Sequence, residues 1–324
     1  MTILTIGMPV YNGGHYIEKA LQTLLDQTYK DFVIIVHDDC STDSTEAIVN
    51  EYMKLDARIR YFRHSKNKGM VQNYESLLQG IETKYFMFAD QDDWYGENFI
   101  EYCIDQLEND ESLYLVTTYT ESIDTVRNKI NFIDQSFSTK GDDVARSYIK
   151  YKNFLHSGNS VQAMFCGIYR TEGILKTLPF RDVIGWDHIV DIKIMTLGDL
   201  HVIPKVEFYK RSDGASESAD KLFKVHSVES LVHKMFPYLN REKYLLGIIL
   251  ESKSINHREK VYLLSWSISN FLFSLCIKPV LMKMIQYVKL KLVGDFSVSQ
   301  LMNTKASLSN KLFRIVKEII KNKF

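Results

Sequence analysis

Tyr85-Phe86-Met87-Phe88-Ala89 runs directly into Asp90-Gln91-Asp92-Asp93-Trp94. A short apolar run of this kind reads as a buried strand, which leaves three carboxylates at its mouth. Carboxylates so close together repel one another, and burial raises their pKa, so the cluster calls for a cation, shared protons or heavy hydration. Oxygen-only ligands suit Mg²⁺ or Mn²⁺, and no His or Cys is expected beside the cluster, as zinc would usually want. The chain is therefore expected to handle phosphates.

Working outward, short apolar runs alternate with helical patterns. Leu4 to Val10 reads as a strand, and the next helix sets Ile17, Ala20, Leu21, Leu24 and Leu25 on one face. Phe32 to Val36 is a second strand. Asp43 with Glu46 forms a cap-like pair that starts a helix ahead of Ala47, Ile48 and Tyr52. Ile59 to Phe62, Val71 to Leu78, Tyr85 to Ala89 and Glu97 to Leu107 continue as strand, helix, strand and helix. This rhythm predicts a parallel α/β sheet. Ligands of such sheets collect beyond the carboxyl ends of the strands, where Tyr11-Asn12, Asp38-Asp39 and Asp90 to Asp93 all fall. Residues 121 to 160 carry no clear pattern. Gln162 to Tyr169 reads as a strand, Thr171 to Leu178 as a short helix stopped by Pro179, and Trp186 to Leu197 as a helix. Two strand-like runs follow around Val202 and Phe208, and then a loop or domain joint at Arg211 to Asp220.

With 324 residues, 45% of them hydrophobic, the chain can bury a large core. Forty basic and forty acidic residues cancel overall, but Lys278 to Phe324 holds ten Lys or Arg against Asp295 and Glu318, a local net of +8. Such a tail suits an anionic surface or an acidic body. Cys40, Cys103, Cys166 and Cys276 are scattered like small core residues and fit a reducing cytosol. The N-terminus lacks the basic region and cleavage site of a signal peptide. Nothing in the composition calls for nucleic acid as a partner.

Asp38-Asp39 allows two readings. Acidic residues there can bind ribose in dinucleotide folds, but strand one lacks G-x-G-x-x-G and the chain lacks a P-loop. A carboxylate can instead accept the ring N3–H of uracil or thymine, making Asp39 a base selector. The alternative is a capping turn through Ser41, Thr42 and Asp43.

Met8-Pro9-Val10-Tyr11-Asn12, Asp38-Asp39-x-Ser41-Thr42-Asp43, Asn67-x-Gly69 and Asp90-x-Asp92-Asp93 together resemble, in order and spacing, the large inverting GT-A glycosyltransferase family, family 2. The resemblance covers roughly residues 2 to 215, and the Gly69 to Leu78 helix followed by Asp90-Gln91-Asp92-Asp93-Trp94 looks like bacterial members that build capsule, O-antigen or cell-wall polysaccharide. It implies an α/β GT-A fold, Rossmann-like with a mostly parallel central sheet. Residues 1–215 would be the catalytic domain, with nucleotide-sugar binding at about 1–120 and the acceptor side at about 121–215. Residues 216–324 would be a helical, basic C-terminal region.

By that resemblance Asp39 binds the base, the Pro9 to Asn12 turn with Tyr11 lies along the nucleoside, Asn67 joins this nucleotide-sugar site, Asp90 faces ribose or metal, and Asp92 is the principal ligand of Mn²⁺ or Mg²⁺. An inverting transfer also needs a base on the acceptor hydroxyl. Asp187, where the family usually has an acidic pair, is the candidate; its alternative is a helix N-cap. His188 can orient Asp187, meet the acceptor or fill a half-buried position. Trp94 and Trp186 can stack on sugars or sit in the core, and Asp93 can help place the acceptor or support its turn. Many relatives carry Tyr-Arg-x-His, whereas this chain reads Tyr209-Lys210-Arg211-Ser212. Lys210 and Arg211 can still reach the diphosphate or form a solvated surface pair.

The expected activity is metal-dependent, non-processive transfer of one sugar from a UDP- or dTDP-sugar to a hydroxyl of a glycan or lipid-linked oligosaccharide. The Gln-x-x-Arg-Trp of processive members is absent. A sugar-nucleotide nucleotidyltransferase or a catalytically silent glycan-binding scaffold are the alternatives. Val261 to Ile277 has 17 uncharged residues, about 26 Å as a helix against ~30 Å of hydrocarbon, so no span is expected there. Pro279 to Val293 and Leu312 to Ile320 read as basic amphipathic helices. These can lie on an anionic membrane, placing a cytoplasmic protein on its inner face, or pack on protein, including a second copy.

Overall fold

The computed structural model describes residues 2–124, 129–133, 137–156, 162–211, 239–253, 255–261 and 263. All of them lie in one compact unit, Met1–Leu263. The joint at Arg211 to Asp220 beyond its first residue, and both basic C-terminal helices, fall outside the described residues.

The first half follows the alternation of the sequence. Strands β1 (Leu4–Val10), β2 (Phe32–Asp38), β3 (Ile59–Arg63) and β4 (Tyr85–Phe88) alternate with α1 (Ile17–Leu25), α2 (Thr45–Leu55) and α3 (Met70–Ser76). The strands pair in parallel in the order β3-β2-β1-β4. Helix α1 buries Ile17, Ala20, Leu21 and Leu24, a stripe at helical spacing. Leu4, Ile6, Met8, Ile34, Val36, Phe86 and Phe88 are fully buried in the sheet. Pro9 is tolerated in this central strand for a local reason. Gly7 O accepts from Ala89 N at 3.0 Å, so residues of that parity turn their backbone groups toward β4. The β4 pairing ends at Gly7, and Pro9 lies past it, where its missing N–H leaves no ladder bond unmade.

Beyond β4 the sheet changes character. It continues through β8 (Ile168–Arg170), β6 (Leu113–Asp124), β9 (Asp199–Arg211) and β5 (Trp94–Tyr95), with β7 (Lys129–Ile133) against β6. β4–β8, β6–β8, β6–β7 and β5–β9 are antiparallel, while β6–β9 is parallel. Helices α4 (Phe99–Asn109), α5 (Val144–His156), α6 (Gln162–Phe165), α7 (Thr171–Leu175), α8 (Trp186–Met195) and α9 (Leu239–Glu251) complete the unit.

Several expectations are corrected here. β6, β7 and α5 have no counterpart in the sequence reading. Part of the reason is that Thr117, Thr118 and Thr120 of β6 are fully buried, and such polar residues hide the apolar pattern of a strand. Gln162 to Tyr169 is a helical turn followed by a strand, not one strand: a short apolar run has no periodicity of its own, and Phe165 stacks on Phe88 at 4.8 Å. The two runs around Val202 and Phe208 form the single strand β9. Helix α2 starts at Thr45, near Asp43, with Ser44 in the N-cap position; the Asp43 carboxylate accepts from Thr45 N, the first residue of the helix, at 3.1 Å and from Gly14 N at 2.9 Å. Among the described residues no helix is long and apolar enough to cross a membrane.

Candidate active site

The carboxyl ends of β1, β2 and β4 form one rim. Asp39 N donates to Val10 O at 2.8 Å, tying the first two ends together. Asn12 adopts φ 50° and Cys40 φ 66°, so both connections turn sharply. Asn12 N donates to Ser41 Oγ at 2.9 Å, and Asn12 Oδ1 accepts from Thr42 N at 2.9 Å. Tyr11 N donates to Gln91 Oε1 at 3.0 Å, which brings in the end of β4. The Tyr11 side chain stays exposed.

The paired aspartates divide the work. Asp38, fully buried, accepts from Ser41 N at 2.7 Å and Tyr61 Oη at 2.5 Å. Asp39, 2% exposed, accepts from Lys68 N at 2.6 Å through Oδ1 and Gly69 N at 2.9 Å through Oδ2. Asn67 Oδ1 also accepts from Gly69 N, at 3.0 Å. Asp39 thus holds the turn before α3, and each of its oxygens keeps a second lone pair.

The three carboxylates after β4 have unlike surroundings. Asp90 Oδ1 accepts from the Tyr74 hydroxyl, and its Oδ2 accepts from the Cys166 thiol at 3.8 Å. Asp92 is half-buried, and burial followed by repulsion from Asp90 pushes its carboxyl up to about 6 despite the opposing Lys210. Asp93 is 2% exposed. Its Oδ1 accepts from Arg211 N at 2.9 Å, while its Oδ2 is buried without a hydrogen-bond partner. Burial holds the Asp93 carboxyl well above the ordinary range, against the pull of Lys210.

Lys210 and Arg211 are not a solvated surface pair. Burial works against the Lys210 charge, but Asp93, Cys166, Asp90 and Asp92 outweigh it and raise its pKa. The Arg211 guanidinium lies 4.3 Å from the Tyr16 ring and 5.9 Å from Trp94. Trp94, 9% exposed, also carries Lys19 Nζ at 3.5 Å from its ring centre. Its ring is engaged by cations within the protein, so the open sugar platform allowed by the sequence is absent there.

Helix α8 begins at Gly185, an N-cap with φ 76°, and Asp187 lies half-buried in the first turn. It is therefore not the capping residue, although a carboxylate is favoured there by the helix dipole. Trp186 is 5% exposed, with its ring centre 4.9 Å from Phe165 and 5.1 Å from both Tyr74 and Phe180. It is a core residue that seats the helix start. His188 Nδ1 meets the Tyr151 hydroxyl at 3.0 Å, and that hydroxyl donates to Asp191 at 2.6 Å. His188 is half-buried. The Cys166 thiol is pushed up by burial and then by Asp90, Asp93 and Asp187, against the pull of Lys210.

Comparison with known proteins bears on this arrangement directly. The pattern described as glycosyl transferase family 2 matches residues 5–174, just over half of the chain. The chain belongs to glycosyl transferase family 2. Among curated relatives, "Glycosyltransferase GlyA" of Streptococcus pneumoniae is 35% identical over 98 residues, 30% of this chain and 14% of the relative. An uncharacterized glycosyltransferase of Haemophilus influenzae is 27% identical over 191 residues, 56% of this chain and 57% of the relative. "Putative teichuronic acid biosynthesis glycosyltransferase TuaG" of Bacillus subtilis is 32% identical over 99 residues, 31% and 39% of the two chains. The chain thus spans under two thirds of the length of each. Residues 1–349 of S. aureus TarS, solved in complex with UDP-GlcNAc, superpose with a TM-score of 0.65 at 18% identity, covering 89% of this chain and 79% of that one. That likeness establishes the GT-A fold.

Within this family 2 fold, sequence reasoning missed Tyr74, Gln91, Asn73 and Cys166. Asn73 Nδ2 donates to His37 O at 3.0 Å and Val10 O at 3.4 Å, joining the ends of β1 and β2 beneath the rim. Cys166 corrects the statement that no cysteine lies beside the aspartates. It is 76 residues from Asp90 in sequence yet in contact with it, and no local signal could have revealed that. Among the described residues, ligand atoms of Asp90, Asp93 and Cys166 lie within 4.8 Å of one another. Asp93 Oδ2 has no hydrogen-bond partner, and carboxylate oxygens such as those of Asp90 and Asp93 are ligands that a divalent cation takes; Asp92 is not one of the three gathered residues.

Proposed function

We propose that this protein transfers a single sugar from a nucleotide-sugar donor, a UDP- or dTDP-sugar, to a hydroxyl of a glycan acceptor, with inversion and dependence on Mn²⁺ or Mg²⁺. The observation that carries this reading is the placement of Asp39 after β2 and of Asp90 and Asp92 after β4, two strands that flank β1 in parallel, with the Trp186–Asp187 start of α8 linked to Asp90 through Tyr74. Family membership and the UDP and UDP-GlcNAc complexes of the structurally similar TarS support the donor class. The relative named for teichuronic acid biosynthesis and the 31%-identical chondroitin synthase of Escherichia coli support a polysaccharide acceptor. A lipid-linked form of it, met by a peripheral protein at the cytoplasmic membrane face, is supported by the net +8 of Lys278 to Phe324.

In this reading the spare lone pairs of Asp39 accept the N3–H of the base, and the Tyr11–Asn12 turn lies along the nucleoside. Asp187 takes the proton of the acceptor hydroxyl as that oxygen attacks the anomeric carbon. Lys210, at the end of β9, adds fixed positive charge near the diphosphate. Asp92 is the favoured metal ligand: it is half-buried and can face the crevice, whereas Asp93 and Cys166 are 2% and 1% exposed. A divalent cation held by Asp92, with Asp90 beside it, would offset the charge growing on the departing diphosphate.

Calorimetry with UDP, dTDP and GDP, with and without Mn²⁺, tests this. Metal-dependent binding of one nucleotide is expected, lost in Asp92→Ala. Binding without metal dependence, with the variant behaving like the parent, would sink the reading.

A further inference from the structure

We infer that Tyr74 is a positioning residue that ties Asp90, on the donor side, to the Trp186–Asp187 start of α8, on the acceptor side. This rests on the reading above, in which Asp90 faces the nucleotide sugar and Asp187 the acceptor hydroxyl.

A carboxylate beside a highly charged ligand needs its orientation fixed, because two rotatable bonds otherwise let it swing. Asp90 receives one donor on each oxygen, the Tyr74 hydroxyl on Oδ1 and the Cys166 thiol on Oδ2. The stronger of the two is the hydroxyl, since S–H is a weak donor. The Tyr74 ring is fixed in turn. It meets Trp186 edge-on at 5.1 Å, Phe88 at 5.4 Å and Phe165 at 5.6 Å. Trp186 directly precedes Asp187, so the ring limits where the first turn of α8 can lie.

One side chain therefore sets the lateral position of the donor carboxylate with its hydroxyl and of the acceptor-side helix with its ring. A 1 Å misplacement between two such groups is enough to cost large factors in rate. Helix α3 also buries Val71, Asn73 and Ser76.

The two contacts are separable. Tyr74→Phe deletes the hydroxyl and keeps the ring; Tyr74→Leu deletes both. With UDP and Mn²⁺ as probe in calorimetry on the full chain, Tyr74→Phe should bind roughly tenfold more weakly, the worth of a hydrogen bond to a charged group. Adding it to Asp90→Asn should cost nothing further, because its effect passes through that carboxylate. Hydrogen exchange at the amides of Trp186 to His188 should quicken in Tyr74→Leu and stay unchanged in Tyr74→Phe. Parental UDP affinity in Tyr74→Phe, an additive loss in the double variant, or α8 exchange unmoved by Tyr74→Leu would each overturn the assignment. Failure of the parent chain to bind UDP with Mn²⁺ would instead overturn the functional reading on which the donor half rests, leaving the exchange experiment to decide the contact with α8.

Discussion

Asp39 Oδ2 accepts the backbone N–H of Gly69 at 2.9 Å, 30 residues away in sequence. With Lys68 N on the other oxygen, the candidate base-binding carboxylate is also the clamp that shapes the turn before α3. Asp39→Asn would keep the size but set an NH₂ against one of those N–H groups. Stability should fall by about 1–3 kcal/mol in urea unfolding, and nucleotide binding should weaken with it. A variant as stable as the parent would show that the clamp carries little energy.

Gly69 itself sits at φ 90° and ψ 156° as the N-cap of α3. A Cβ there would meet nothing within 4 Å, so space is not the constraint. The backbone region is one that only glycine occupies readily, and Gly69→Ala should cost about 1–3 kcal/mol through strain alone. Thermal unfolding measures this, and an unchanged midpoint would refute it.

His37, on β2 beneath the rim, is pushed down to about 4 by burial and then by His64 and Lys68. Its Nδ1 meets Ser76 Oγ at 2.7 Å. The folded chain therefore resists protonation of a group that protonates near 6.5 when unfolded. This contribution to stability is complete above pH 6.5 and is lost as pH falls from there through 4, at most about 3 kcal/mol. His37→Asn should flatten that part of the stability profile. An undiminished slope between pH 4 and 6.5 in the variant would assign the loss to other groups.

Asp187→Asn preserves shape and removes basicity. If Asp187 accepts the acceptor proton, donor binding should survive while transfer drops by roughly 10²–10⁴-fold, read by comparing nucleotide affinity with turnover. Full turnover in this variant would refute the assignment.

The β1–β4 half of the fold was legible because its signals are local. Leu4–Val10, Phe32–Asp38 and Tyr85–Phe88 are apolar runs fully or half buried by the sheet, and the polar residues that follow each run had to land at the strand ends. The part beyond β4 was not legible. Buried threonines masked β6, Phe165 was drawn into a helical turn by stacking on Phe88, Trp94 was met by Lys19 and Arg211, and Trp186 by Tyr74, all far off in sequence.

Alternation of apolar runs with helical stripes, and acids placed at the run ends, determined by sequence alone the α/β class, the β1–β4 order of elements and the edge on which the aspartates gather. Tertiary structure alone decided what holds each of them. Asp38 braces a turn, Asp39 clamps Lys68 and Gly69, Asp90 is held by Tyr74 and Cys166, and Asp93 is sealed against the end of β9. The reason is physical. Periodicity fixes which face of an element is apolar, whereas the charge and reach of a carboxylate depend on donors and burial supplied by chain segments many residues away.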